Sequence, residues 1–533
     1  LNLLILIVAA LLVASVLLQK LFVRIGMPVL LGFILLGLAV GQGTQFGNQT
    51  ADYELVGNIS TLALIFIMFY GGFGTNAKRC RPILAQAVLL ASAGVILTAV
   101  FLASLCYYLF HWHFMQAALM GAVIASTDAA SVFSILRSRR LNLRYNTASL
   151  VELESGSNDP TAYMLTLIIL LLDKEGFSPL GLIKIIVLQL FVAAVVAFIC
   201  SRLSTFLLRK MAPDSDAGRL ILTVGVALLS YALPTTFGGN GFLCTYLCGL
   251  ALGNNPLIVK KDLVTFWNGF TGLAQVTLFF LLGFLASFPK LAAVAVDALA
   301  IMLLLTLVVR PAALSLLLLP FRPKLGQIIL LSCAGLRGAT SVVFAIMVMT
   351  AGAMGQEIFH LTFFIVLLSL TLQGAFLPQV AKYCRMLDEK ADVMKTFTDY
   401  SEELPVEFIK FRIPPQHKWA GKKVAELVLP PQTLLVYLER DGDISVPNGQ
   451  TMLHSGDKLI LAALEATPIK GISLSEINVG KGHDFVGKSL REINETASAT
   501  ALIMLVKRGR KVLIPRGDTV IQEDDILIKN TAM

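Results

Sequence analysis

The sequence predicts an all-α polytopic membrane bundle followed by a small α/β tail, and three observations carry that expectation. Hydrophobic residues make up 56% of the 533 positions and charged residues only 14%, with a mean hydropathy of +0.77, far from the composition of a soluble domain. Apolar runs of the roughly 20 residues needed to cross a bilayer recur from Leu3 to about Tyr383. After Arg385 they stop, and the remainder is charged and alternates as strands do. The expected divisions are therefore 1–385 in the membrane, 386–404 as a connector, and two related units at 405–467 and 475–533. A net charge of +9 in a soluble protein would suggest nucleic acid, but here Lys and Arg sit between apolar runs, so the partner is the lipid bilayer and no nucleic acid is expected.

Punctuation by Gly, Pro and charge gives about thirteen candidate spans, starting near residues 3, 28, 55, 82, 115, 145, 179, 217, 239, 260, 290, 325 and 357. Loops after odd-numbered spans hold Lys20 and Arg24, then Lys78, Arg79 and Arg81, then Arg137, Arg139, Arg140 and Arg144. Further along they hold Arg209, Lys210 and Arg219, then Lys260 and Lys261, then Arg322 and Lys324. Loops after even-numbered spans offer Lys174 and Lys290. By the positive-inside rule the odd loops and the tail are cytoplasmic and the N-terminus faces outward, which is periplasmic for a bacterial inner membrane. No cleaved leader is visible, and since the sequence opens at Leu1, the natural start is expected slightly upstream. Cys106, Cys200, Cys244, Cys248 and Cys333 lie in apolar runs and read as buried reduced thiols, with no His or carboxylate placed to complete a metal site around Cys244 and Cys248.

Polar residues interrupt three spans. The fifth contains Ser126-Thr127-Asp128, the sixth runs Glu152 to Pro160 through Glu154, Ser155, Gly156, Ser157, Asn158 and Asp159, and the twelfth contains Gly335-Leu336-Arg337-Gly338. An ionised side chain at the bilayer centre costs at least about 3 kcal/mol, so such groups face one another or a water-filled cavity. A purely structural salt-bridge core would leave several carboxylates with Arg337 as their one nearby cation. The fifth and twelfth spans are seven apart and so cross in opposite directions, and both echo a small-small-Ser-Val pattern, Ala129-Ala130-Ser131-Val132 and Ala339-Thr340-Ser341-Val342. Interrupted helices at corresponding places of two inverted halves point to a transporter's central site, where unwound backbone exposes carbonyls and helix ends balance charge. On the sixth span Ser155 and Asp159 are four apart and share a helical face, while Pro160, lacking an N–H, frees the Gly156 carbonyl and predicts a kink. Asp159, Ser155, Asp128 and the Thr127 backbone supply the oxygens a hard monovalent cation needs. Burial favours the protonated form of a carboxylate and an arriving cation favours the ionised form, so proton and cation compete for one group.

Thr127-Asp128, Glu154-Ser155 with Asn158-Asp159, and Gly335-Leu336-Arg337-Gly338 together resemble the monovalent cation/proton antiporter family, in the sodium/proton exchanger branch that includes the NhaP-type proteins. The resemblance spans the membrane part in order and spacing. It implies that Asp159 carries ion and proton, that Asn158, Ser155, Asp128 and the Thr127 carbonyl surround it, and that Glu154 and Arg337 form a structural ion pair between helices. Asn158 in place of a second Asp resembles the electroneutral branch and implies one proton per cation, with elevator-like alternating access in a homodimer. The family's acidic Gly-Gly-Leu-Glu-x-Asp segment is here Gly71-Gly72-Phe73-Gly74-Thr75-Asn76, so no ligand role carries over there. Glu-Ser-Gly-Ser-Asn-Asp-Pro at 154–160, combined with the tail, resembles the potassium/proton antiporters of Gram-negative bacteria linked to cell-volume regulation. The implied activity is secondary active export of potassium, and of sodium as an alternative, in exchange for external protons; no enzymatic reaction is implied.

The tail reads as a repeat. Gly421 to Leu427 matches Gly487 to Ile493, Pro447 to Thr451 matches Pro515 to Thr519, and Gly456-Asp457 to Ile460 matches Asp524-Asp525 to Ile528. Each copy, the first more closely, resembles the C-terminal ligand-binding part of the RCK domains that regulate potassium channels and transporters. No Gly-x-Gly-x-x-Gly strand-to-helix turn marks a full dinucleotide-binding half, and no cofactor is expected. Lys422, Arg440 and His454 are candidates to meet a small anionic regulatory ligand such as a nucleotide; the competing reading is a packing module. Two rival functions fit less of the chain: a channel gated by the tail, which lacks a Thr-Val-Gly-Tyr-Gly filter, and an intramembrane aspartyl protease using Asp128 and Asp159, which lacks a Gly-x-Gly-Asp helix.

Overall fold

The computed structural model describes residues 28–43, 53–128, 143–175, 178–208, 216–255, 260–352 and 355–387, with scattered positions at 9–22 and 131–136, and most of 406–532. Two compact units separate at 400/401 and are considered individually.

The first unit is helical: α1 Val29–Gly43, α2 Tyr53–Gly74, α3 Arg81–Leu109, α4 Phe114–Ile124, α5 Thr147–Ser157, α6 Asp159–Glu175 and α7 Pro179–Phe206. It continues with α8 Asp216–Thr236, α9 Gly241–Gly253, α10 Lys260–Leu285, α11 Phe288–Phe321, α12 Leu325–Ala334, α13 Ala339–Ala351 and α14 Gly355–Tyr383. Among the described residues seven helices are long and apolar enough to span a membrane, or eight if α12 and α13, bent by 52° at their break, form one span. The thirteen spans expected from sequence exceed that number because several helices are short or broken. Of the first expected span only scattered positions are among the described residues.

Two helix pairs approach backbone to backbone through glycine. A Cβ on Gly37 of α1 would lie 2.0 Å from the Phe280 carbonyl oxygen of α10, and one on Gly283 of α10 would lie 2.1 Å from that of Ile34. In the second pair a Cβ on Gly253 of α9 would lie 2.0 Å from the Phe73 carbonyl oxygen of α2, and one on Gly72 of α2 would lie 2.1 Å from that of Tyr246. In each case a GxxxG segment, Gly37–Gly41 or Gly249–Gly253, meets a single glycine on its partner. Lipid gives apolar helices no hydrophobic reason to associate, so close van der Waals contact of this kind holds them together.

Three of the long helices contain one π-turn each: Leu90–Gly94 in α3, Leu305–Val309 in α11 and Ser369–Gln373 in α14. The Gln373 amide ties two of them, donating from Nε2 to Thr306 while accepting from Ser369. Between α8 and α9, Gly238 takes a positive φ of 74° that a side chain would strain. Asn240 then caps α9 by accepting from the Leu243 N–H at 2.9 Å, and its Nδ2 donates to the Pro160 carbonyl at 3.0 Å.

The second unit contains two antiparallel four-stranded sheets of identical order. Strands β1 Val406–Arg412, β2 Thr433–Arg440, β3 Asp443–Ser445 and β4 Lys458–Leu464 are arranged β1-β4-β2-β3. Strands β5 Ile472–Asn478, β6 Ala501–Arg508, β7 Lys511–Leu513 and β8 Ile526–Ala532 are arranged β5-β8-β6-β7. Even the irregularities repeat, with register shifts between Leu435 and Tyr437 and between Ile503 and Leu505. Gly421 and Gly487 occupy the same left-handed turn at φ of 80° and 79°.

Candidate functional site

Helix α4 ends at Ile124 and the chain runs extended through Ser126, Thr127 and Asp128, while α12 ends at Ala334 and resumes as α13 only at Ala339. The two breaks cross. The Asp128 N–H donates to the Leu336 carbonyl at 2.8 Å. A Cβ on Gly338 would lie 2.4 Å from that of Asp128, so the crossing requires glycine there. Ser131 donates to the Asp128 carboxylate.

The third interruption falls beside this crossing. Helix α5 stops at Ser157, Asn158 stands between helices, and α6 begins at Asp159 with Pro160 in its first turn, where a missing N–H costs nothing. The expected kink is thus a full break at Asn158, two residues ahead of the proline. As the first residue of α6, Asp159 lies at the positive end of the helix dipole, which favours a carboxylate. Its side chain is 4% exposed. Ser126 donates to Oδ1, and Thr340 donates to Oδ2 at 3.2 Å. All three interrupted segments therefore converge on one carboxylate.

Thr127 turns toward a different set. Its hydroxyl accepts from Asn158 Nδ2 at 2.6 Å and donates to the Ser155 hydroxyl at 2.8 Å. Thr127, Asn158 and Ser155 thus form one buried cluster while Ser126 and Thr340 hold Asp159. Sequence reasoning quoted both hydroxyls but did not assign them to the carboxylate. Small polar residues inside apolar runs were the available signal; which one faces Asp159 depends on how the extended segment rotates.

The expected Glu154–Arg337 ion pair is corrected by the structure, which gives Glu154 to Arg310. The Arg310 Nη1 lies 3.0 Å from Glu154 Oε1 and Nη2 lies 3.4 Å from Oε2, with the two side chains 4% and 2% exposed. A Cβ on Gly335 would lie 2.8 Å from Arg310 Nε, so the guanidinium also packs against the α12–α13 break. Arg337 instead donates from Nη1 to the carbonyls of Ala125 and Ser126, both at 2.8 Å. These oxygens lie at the C-terminal end of α4, where a cation is favourable. The Arg337 N–H donates to Ser369 at 3.0 Å, linking the crossing to the π-turn of α14.

In the tail, the candidate Arg440 is engaged by Asp457 through two bonds, from Nε at 2.8 Å and Nη2 at 2.7 Å. Nη2 also donates to the Met452 carbonyl, and Asp457 accepts from the His454 N–H at 2.7 Å. The second sheet repeats the arrangement with Arg508, Asp525, the Val520 carbonyl and the Gln522 N–H. Each guanidinium holds its carboxyl below the usual carboxylate range. These arginines fasten the sheets, so the candidate Arg440 already has a carboxylate partner while remaining 37% exposed.

Comparison with known proteins agrees with this architecture. Residues 7–383 match the family described as sodium/hydrogen exchanger, transmembrane, and residues 408–467 and 474–528 each match the TrkA-C domain. The chain is 32% identical over 451 residues to the K(+)/H(+) antiporter NhaP of Alkalimonas amylolytica, covering 83% of this chain and 78% of that one. It is 32% identical to the K(+)/H(+) antiporter NhaP2 of Shewanella baltica, covering 86% and 80%. The structure of the sodium proton antiporter MjNhaP1 from Methanocaldococcus jannaschii superposes with a TM-score of 0.62 at 21% identity, covering 72% of this chain and 98% of the other, and so shares the fold. With one family spanning the membrane unit and converging breaks at its centre, this chain belongs to the transmembrane sodium/hydrogen exchanger family and carries a pair of TrkA-C domains behind it.

Proposed function

We propose that this protein is an electroneutral potassium/proton antiporter, accepting sodium as a second cation, that exports the cation in exchange for external protons. One observation carries the reading: Asp159, held by Ser126 and Thr340 where three interrupted segments meet. A protonated Asp159 is neutral and needs no counter-ion. When it releases the proton, a dehydrated monovalent cation takes its place, with the carboxylate and the two hydroxyls as oxygen ligands. One charge is exchanged for one, so a turnover moves no net charge. Asn158 at the neighbouring position adds no second ionisable group, and with Thr127 and Ser155 it braces the site. Asp128, beside the crossing, adds negative potential that draws cations in. Potassium is favoured because the relatives named above are K(+)/H(+) antiporters.

Alternating access follows an elevator-like course between inverted halves of a homodimer, with the membrane unit at 1–385 in the bacterial inner membrane and both termini placed as the loop charges direct. The matched glycine seams α1·α10 and α9·α2, seven spans apart in the expected count, support the inversion. The tail, at 405–467 and 475–533, regulates turnover from the cytoplasm, with a small anionic ligand such as a nucleotide on the first copy and Lys422, Arg440 and His454 as the candidate contacts.

Purified protein in liposomes with an internal pH dye tests the reading. Adding potassium should drive proton flux that Asp159→Asn abolishes with the protein still folded, because the amide matches the carboxyl in shape but carries no exchangeable proton. Wild-type flux in that variant would remove Asp159 from its role; sodium-only flux would overturn the cation assignment.

A further inference from the structure

A cavity of about 810 Å³ lies beside the first turns of α2. Glu54, Asn58 and Thr61 line it at spacings of four and three, a polar stripe down one face of α2. Its inner wall is aromatic: Tyr163 of α6, Phe344 of α13 and Phe242 of α9, with Tyr231 of α8 behind. The Phe242 ring is central, 4.9 Å edge-on from Tyr163, 4.9 Å from Tyr231 and 6.4 Å from Phe344.

The positions of two of these rings are informative. Tyr163 lies four residues beyond Asp159 on α6, and Phe344 lies four residues beyond Thr340 on α13. Each is one helical turn, about 6 Å, from a group of the carboxylate site and on the same face. The cavity thus ends one turn from Asp159, and rings close the gap. Phe242 and Phe344 are 2% and 1% exposed. Of the three rings, Tyr163 and Phe344 belong to helices that carry the site, whereas Phe242 belongs to a helix that does not.

We propose that this cavity is the ion-access vestibule on the side where α2 begins, with Glu54 as its cation-collecting group and the Tyr163–Phe242–Phe344 rings as the gate that separates it from Asp159. The proposal rests on reading Asp159 as the ion-carrying group. A carboxylate in a confined mouth raises the local concentration of monovalent cations through its field, and the uncharged stripe of Asn58 and Thr61 offers oxygens as the ion descends. Lys290 acts in the opposite sense: its ammonium is 3.1 Å from Oε1 of Gln356, a residue of the same cavity wall. A gate of rings shared between site helices and a neighbour opens when the two groups of helices shift relative to each other, as alternating access requires.

Membrane vesicles of the two opposite orientations, each with a pH dye and each paired with D159N, test this. E54Q should raise the half-saturating potassium concentration several-fold when potassium is presented to the vestibule face and leave it unchanged from the other face, with the difference shrinking as choline chloride screens the field. K290Q should lower the same value from the same face. Glu54 also suits the first turn of a helix, but a helix-capping role would shift both faces alike, and equal shifts or none would overturn its assignment. For the gate, F242A in choline medium should dissipate an imposed pH gradient several-fold faster than the parent, and F242A with D159N should return to the parent's rate; F242L serves if F242A does not insert. A leak at the parent's rate, or one that persists without Asp159, would overturn the gate. Parent vesicles without any potassium-driven flux would instead refute the antiport reading itself, which keeps the two failures apart.

Discussion

The same pairing of arginine with carboxylate occurs in the membrane unit and in the tail, and the two settings make it do different things. Arg310 and Glu154 are 4% and 2% exposed and join α11 to α5 across 156 residues of sequence. In the tail the carboxylates Asp457 and Asp525 are buried to a similar degree, but their arginines are 37% and 32% exposed. Each tail carboxylate also accepts a backbone N–H, and each arginine donates to a backbone carbonyl, so the group is closed on itself within one sheet. In the membrane pair, Arg310 Nε has no hydrogen-bond partner, and both side chains are almost fully buried. The tail pair fastens one small sheet at an edge that solvent can reach; the membrane pair is a long-range tie whose members must both be present.

The largest effect that would sharpen this contrast is expected from Arg310→Ala, which leaves Glu154 buried and uncompensated at a cost of about 3–5 kcal/mol. Detergent-solubilised protein should show a markedly lower melting temperature, and adding Glu154→Gln should recover part of it. A double variant no more stable than the single would mean that Glu154 is not what the arginine balances.

Arg440→Ala and Arg508→Ala should each cost about 1.5–3 kcal/mol, the worth of hydrogen bonds to a charged group, and only locally. Hydrogen exchange on the whole chain should show faster amides in β2 and β4 for the first and in β6 and β8 for the second; loss of protection in both sheets from one change would contradict independent modules. The acid response has a defined sign. Because Asp457 and Asp525 are held below their unfolded value of about 3.9, the stability they contribute is complete above that pH and is lost as pH falls through the lower folded value. Protection from these pairs should therefore survive to about pH 4 and decline only below it.

The smallest effect belongs to Lys458→Ala. Its ammonium is 2.6 Å from Glu439, but the partners are 55% and 34% exposed. Such a pair contributes about 0–1 kcal/mol, so the exchange pattern should be nearly unchanged, and a loss matching that of Arg440→Ala would show that exposure is not what separates the cases.

Much of the central site was legible because its residues break apolar runs: Ser126 to Asp128, Ser155 to Pro160 and Gly335 to Gly338 have no reason to lie in lipid unless they meet. The partner of Glu154 was readable by the same logic, since Arg310-Pro311 also interrupts an apolar run, yet the reading chose Arg337, which stands in the more conspicuous glycine motif. Pairing across 156 residues is set by how helices pack, which periodicity does not report. The choice between Ser126 and Thr127 for Asp159 depends on the twist of an extended segment, where helical spacing gives no guide. In the tail, the repeated glycines and Asp457 and Asp525 were visible as matching words, whereas the matching arginines lay outside the aligned segments and emerged only from the sheets.

The glycine seams have a mechanical consequence. Where Gly37 and Gly283, or Gly253 and Gly72, let carbonyl oxygens rest almost on the neighbouring Cα, no side-chain cushion remains to be compressed. Sliding one helix along its partner by a fraction of a turn would drive backbone into backbone, and the next equivalent register is about 5.4 Å away. Each pair therefore behaves as a welded beam that transmits load without shearing. Bending is left to the places where the hydrogen-bond ladder is already loosened, the π-turns at Leu90–Gly94, Leu305–Val309 and Ser369–Gln373, which are the joints of the frame.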